Sequence, residues 1–117
     1  MRIEQITNKI KKAFMKKMSR QDNKITYIQA RKIIKENPLA ILLDVRSKQE
    51  YDEYHLEGAL CIPNYELINN ISKLTINKQQ IIICYCQSGV RSKKAISILR
   101  KMGYENLFEI DGGIDNL

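Results

Sequence analysis

The residues best suited to chemistry lie in the stretch CYCQSGVRSKK, residues 84–94. An apolar run, QIIICYC, ends at Cys86. A short polar loop of Gln87, Ser88, Gly89 and Val90 follows, then Arg91, Ser92 and a helical pattern. Small, flexible loop residues let successive backbone N–H groups turn inward and form an anion-binding nest. The helix behind the loop aims its N-terminus, worth roughly half a positive charge, at the same point. Arg91 supplies a full charge nearby. A free thiol is only a few per cent ionised at neutral pH, and helix N-termini and cations favour the thiolate. Cys86 is therefore read as a nucleophile that needs no histidine base.

The other reactive side chains fit blander roles. Cys84 lies two residues before Cys86 on a predicted strand, so both face the same side of the sheet; it is read as core packing, with a resolving thiol as the sharper alternative. Cys61 is read as packing too. Cys-x-Cys with one remote cysteine and a single histidine lacks the paired spacing of a structural zinc site, so no metal is expected. His55, the one histidine, is assigned a structural hydrogen bond rather than the role of a base. Asp44 and Arg46 follow a buried strand and are expected to brace neighbouring loops. Glu50 and Tyr51 are read as packing and hydrogen-bonding residues, and Gly112 and Gly113 as a tight turn.

Alternating strand and helix patterns must position these groups. ITY opens the series, with Thr26 a candidate cap for the helix IQARKIIKEN, which Pro38 ends. AILLDV, residues 40–45, is a continuous apolar run, the mark of a strand buried on both faces. SKQEYDEY reads as a short helix capped by Ser47, GALCIP as a strand over residues 58–63, and NYELINNISKL as a helix. After the QIIICYC strand, RSKKAISILRKMG is an amphipathic helix with Ala95, Ile96, Ile98, Leu99 and Met102 apolar and Gly103 at its C-terminal cap. NLFEI is a last strand, and DGGIDNL starts another helix. Such alternation implies an α/β fold with a mostly parallel sheet covered on both faces. Sites in these sheets gather beyond the carboxyl ends of the strands, where DVRS, NYE and CQSGVRS converge.

A chain of 117 residues has room for one domain and its core. No apolar run approaches the roughly 18 residues of a membrane span, and residues 1–20 show no signal-peptide pattern. Three cysteines without an export signal point to free thiols in a reducing compartment, so a cytoplasmic address is expected. The formal net charge of +7 is uneven: residues 1–24 hold eight Lys or Arg against Glu4 and Asp22, whereas residues 25–117 hold twelve against eleven. The folded part is nearly neutral and lacks a basic stripe interleaved with aromatics, which argues against nucleic-acid binding. In the basic arm, Ile3, Ile6, Ile10, Phe14 and Met18 form one helical stripe. It is read as an amphipathic N-terminal extension that packs on the domain or is loosely ordered, or that touches an anionic membrane surface or a partner.

LLDVRSKQEYDEYHLEGALCIP, CQSGVRS and DGGI, in that order, resemble a single-domain rhodanese, the sulfurtransferase family, over residues 25–117. The resemblance implies a three-layer rhodanese-like fold with about five strands. It also implies a persulfide carried on Cys86, a cradle formed by the backbone of Gln87, Ser88, Gly89, Val90 and Arg91, and Ser92 in the first turn of the helix. Arg91 would hold the loop and complement negative charge. A related phosphatase branch spaces its cysteine and arginine by five residues, a ring for phosphate; four residues here make a tighter ring suited to sulfur. Tyr54, Cys61 and Leu117 depart from the usual glycine, asparagine and tryptophan of the family, at the pocket rim rather than in the cradle. The implied reaction is transfer of sulfane sulfur from a donor such as thiosulfate to cyanide, a small thiol or a protein cysteine, without metal or organic cofactor. The alternative is a persulfide carrier or interaction module with little turnover.

Overall fold

The computed structural model describes residues 23–117, so the helix expected from the stripe Ile3 to Met18 lies outside the described residues. Strand β1 (Lys24–Ile25) leads through Thr26 into helix α1 (Tyr27–Glu36), and β2 (Ile41–Asp44) through Ser47 into α2 (Lys48–Glu53). Both caps act as expected. Thr26 and Ser47 each accept the backbone N–H three residues on, and Gln29 and Glu50 reach back to the cap N–H, satisfying two otherwise orphaned donors per helix. β3 (Leu60–Cys61), α3 (Leu67–Leu74), β4 (Ile82–Tyr85), α4 (Val90–Lys101) and β5 (Leu107–Ile110) complete the series.

The five strands run parallel in the order β1-β5-β4-β2-β3. β4, which ends at the reactive loop, is central, paired with β2 on one side and β5 on the other. Successive strand residues face opposite layers, and the core divides accordingly. Leu43, Ile82, Cys84 and Leu107 meet Leu67 and Ile71 of α3 and Ala95 and Leu99 of α4. Leu42, Ile83, Tyr85, Phe108 and Ile110 meet Ala30 of α1, with Tyr51 of α2 against them. This is the expected three-layer α/β architecture with five strands. No helix among the described residues is long and apolar enough to cross a membrane.

Three elements differ from the pattern-based expectation. The strand expected over residues 58–63 is only Leu60–Cys61. Gly58 adopts φ +81° and Ala59 N–H bonds to Leu56 O at 3.0 Å, so a turn consumes its start; Pro63 has no N–H to extend the ladder. The helix expected from Asn64 begins as a 3₁₀ turn, Asn64–Glu66, before α3. DGGIDNL yields one 3₁₀ turn, Gly113–Asn116. At the end of α4, by contrast, Gly103 sits at φ +98° and Tyr104 N–H reaches Leu99 O at 3.1 Å, the expected left-handed glycine termination.

Leu43 is fully buried on the strand beside β4. Leu43→Ala should lower the free energy of unfolding by about 2–5 kcal/mol, read as a reduced midpoint in urea.

Candidate active site

Cys86 stands one residue beyond β4, at the mouth of the loop that becomes α4. Gly89 occupies the N-cap of α4 at φ +102°, a left-handed conformation that disfavours any side chain. It therefore brings no side-chain oxygen to the orphan N–H groups of the first turn. Cys86 takes over this role: its Sγ accepts Gly89 N–H at 3.1 Å and Ser92 N–H at 3.3 Å. Two backbone donors at a positive helix end suit an anionic sulfur. Cys86 is only 1% exposed, so its thiol is not open to solvent. Around the ring Gln87 and Gly89 are half-buried, whereas Ser88 and Val90 are exposed.

The ring is held from outside. Ile114 N–H donates to Cys86 O at 3.0 Å and Asp115 N–H to Gln87 O at 2.9 Å, so the carbonyls of both residues are engaged away from the sulfur. Gln87 Nε2 adds a bond to Asp115 Oδ1 at 2.6 Å. Gly113 makes this approach possible: a Cβ there would lie 2.3 Å from Cys86 O and 2.7 Å from Gln87 O. The double glycine is thus a close-packing surface for the loop as well as a turn.

Arg91, expected to hold the loop and lend its charge to the ring, grips Glu50 of α2 and also interacts electrostatically with Cys86. Its Nη1 and Nη2 donate to Glu50 Oε1 and Oε2 at 2.6 and 3.0 Å, the bidentate geometry that guanidinium favours. The Arg91 bonds, aided by Ser47, hold the Glu50 carboxyl down at about 2. Asn64 Nδ2 meanwhile donates to Arg91 O at 2.8 Å. Arg91 therefore ties the start of α4 to α2 and to the turn at Asn64. Arg46 does similar work one strand over. It pairs with buried Asp44 at 2.7 Å and donates to Gln87 Oε1 at 3.4 Å and to Tyr54 O.

The remaining candidates lie apart from this centre. Burial pushes the Cys84 thiol well above its ordinary range and the Cys61 thiol up to about 11, which suits packing. His55 Nδ1 lies 2.8 Å from Tyr51 O, with its ring stacked on Tyr51 at 3.8 Å. Among the described residues, no three His, Cys, Asp or Glu side chains are grouped to hold a metal ion. One buried group escaped the sequence-based reading: Glu109, 2% exposed, accepts a hydrogen bond from Ser92 Oγ at 3.2 Å. The signal was a carboxylate between Phe108 and Ile110 in a strand buried on both faces.

Comparison with known proteins agrees with this fold. The family profile described as "Rhodanese-like domain" matches residues 26–117. Curated relatives named tRNA uridine(34) hydroxylase include one from Erwinia tasmaniensis, 36% identical over 68% of this chain and 24% of its own length. Another, from Buchnera aphidicola, is 32% identical over 76% of this chain and 30% of its own. The chain thus spans about a quarter to a third of the length of these relatives. Among solved structures, a rhodanese-like domain protein from Staphylococcus aureus superposes with a TM-score of 0.70 at 26% identity, covering 80% of this chain and 89% of its own. The human single-domain sulfurtransferase TSTD1 shares the fold with a TM-score of 0.73 at 23% identity, covering 80% and 93%.

Two outcomes test the geometry. Gly113→Ala should cost at least about 1–2 kcal/mol for the left-handed backbone at φ +63° and, by displacing the loop, slow iodoacetamide labelling of Cys86 about tenfold or more. Glu50→Gln should lower stability at pH 7 by no more than about 1 kcal/mol, because the pair is partly exposed and screened. The Glu50 carboxyl is depressed, so its contribution is present above the ordinary carboxylate value of about 4.3 and fades as pH falls towards about 2. The difference between variant and parent in denaturant titrations should close over that window.

Proposed function

Because the chain belongs to the rhodanese-like domain family, we propose that it transfers sulfane sulfur from a small donor such as thiosulfate to a thiol or cyanide acceptor through a persulfide on Cys86. The observation that carries this reading is the pair of backbone N–H groups on Cys86 Sγ at the head of α4. In the first half-reaction the thiolate attacks the outer sulfur of the donor. The donor S–S bond breaks, sulfite leaves with the electron pair, and Cys86–S–S⁻ remains. In the second, the acceptor takes the terminal sulfur and Cys86 departs as thiolate. This is covalent catalysis in two displacements. Both resting states are anionic sulfur, so one set of fixed donors serves each half-reaction.

The four loop residues between Cys86 and Arg91 keep the ring tight, which favours sulfur over phosphate as its occupant. Gln87, Ser88, Gly89 and Val90 contribute backbone to the ring, Ser92 a backbone donor, and Arg91 the clamp to Glu50. No metal or organic cofactor enters this scheme. A protein cysteine persulfide is an equally suitable partner in chemical terms, and a carrier role without small-molecule turnover uses the same two states. The name shared by the curated relatives favours a second reading, in which the Cys86 site serves modification of a tRNA uridine. Incubation of the chain with tRNA followed by nucleoside mass analysis separates it from the first.

Thiosulfate treatment should raise the intact mass by one sulfur atom, reversibly with reductant, and Cys86→Ser should abolish the gain. An adduct that persists in Cys86→Ser or resides on Cys61 or Cys84 overturns the assignment. Steady-state thiosulfate:cyanide turnover then distinguishes an enzyme from a carrier.

A further inference from the structure

The proposed reaction leaves one question of proton balance. Cys86 must lose a proton to become a nucleophile, and its sulfur is buried. His55 is exposed and engaged with Tyr51, so it does not face the sulfur. Beneath Cys86, however, lies a continuous polar path. Cys86 Sγ is 3.6 Å from Ser92 Oγ, and Ser92 Oγ is 3.2 Å from Glu109 Oε2. Ser92 is fully buried and Glu109 is 2% exposed. The register explains the meeting. Glu109 pairs with Cys84 across β4 and β5, and residues two apart on a strand share a face, so Glu109 lies on the side of the sheet that carries Cys84 and Cys86.

We propose that Glu109 is the positioning residue for the Cys86 proton, acting through Ser92. As the Cys86 S–H bond breaks, its proton passes to Ser92 Oγ, and the Ser92 hydroxyl proton passes to Glu109 Oε2. No electrons are exchanged with any oxidant or reductant. The buried trio carries one negative charge before the step, on the carboxylate, and one after it, on sulfur. Ionising the thiol therefore brings no second charge into the core, where an additional unpaired charge is costly. The Ser92 hydroxyl suits the exchange because it has one hydrogen and several acceptors around it: Glu109 Oε2, Gly89 O at 3.2 Å, and the sulfur itself.

The electrostatic surroundings are consistent with a carboxyl that holds a proton. Burial pushes Glu109 above its ordinary range, and Asp111 acts in the same direction. The Ser92 bond, Lys24 on β1 and Lys93 on α4 oppose them. Burial, and after it the neighbouring Glu109 and Cys86, disfavour ionisation of Cys84 on β4. Arg91 also interacts electrostatically with Cys86.

This inference rests on Cys86 acting as a nucleophile, but its test needs no sulfur donor. Infrared difference spectra of the reduced full chain should show a protonated-carboxyl absorption while Cys86 is a thiolate. Blocking Cys86 with methyl methanethiosulfonate removes the charge on sulfur, and the absorption should disappear as Glu109 releases its proton. Reductant should restore it. Carbon-13 labelling of glutamate carboxyls should shift the band, which separates it from buried Asp44, and the near-isosteric Glu109→Gln should lack it. The pH profile of Cys86 alkylation should also change from two steps in the parent to one in Glu109→Gln. A carboxyl band absent from the parent, or unaffected by blocking Cys86, overturns the proposal, and this measurement stands on the unmutated protein if the variant does not fold. Failure of thiosulfate to add sulfur while the band still responds to Cys86 would sink the sulfur-transfer reading and leave the proton path intact.

Discussion

The structure depends on a contradiction at the end of β4: the chain must stop pairing as a strand, turn through a glycine and start a helix within a few residues. Each change frees backbone donors that burial would otherwise leave costly. The sulfur of Cys86 accepts two of them, and the carbonyls left behind on Cys86 and Gln87 are taken by the turn at Ile114 and Asp115. The same bonds that make the loop foldable give it an inward-facing set of donors. Local stability and a place for anionic sulfur are two descriptions of one arrangement.

The charged residues around the loop divide the labour. Two arginines look, by type, like anion binders, yet both are committed to carboxylates: Arg46 to Asp44 and Arg91 to Glu50. Their ion pairs and hydrogen bonds join the ends of β2, β3 and β4 through α2 and the start of α4. The backbone N–H groups of Gly89 and Ser92 at the sulfur are fixed dipoles that need no reorganisation to meet an anion. A mobile cation above the ring would be free to follow an incoming donor; a clamped one holds the ring in shape instead.

Much of this was legible in the sequence because it is local. Thr26 and Ser47 announce their helices by capping chemistry that spans three residues, and Cys86 to Ser92 form a contiguous loop whose strand and helix flanks are strongly patterned. Gly103 marks the end of α4 by the same logic. The apolar pattern of the 58–63 stretch overstates the strand, because the turn at Ala59 already consumes part of the interval. The partners of the loop were out of reach for a different reason. Glu50 lies 41 residues from Arg91, and Asp115 lies 28 from Gln87; only strand order and register bring them together. Glu109 is the sharpest case, since a polar residue in a strand pattern normally marks the solvent side, and its partner Ser92 lies 17 residues away.

The sheet itself constrains how any larger partner could engage. Its two edges as described, Lys24–Ile25 and Leu60–Cys61, are each only two residues long. Among the described residues, each edge strand itself offers only a short ladder of N–H and C=O groups on which another chain could build by adding a strand. Side chains and the loop mouth at the carboxyl ends of the strands then offer the broader surface for recognition. That surface can change its residues, and so its choice of partner, without disturbing the backbone pairing that keeps the sulfur in place.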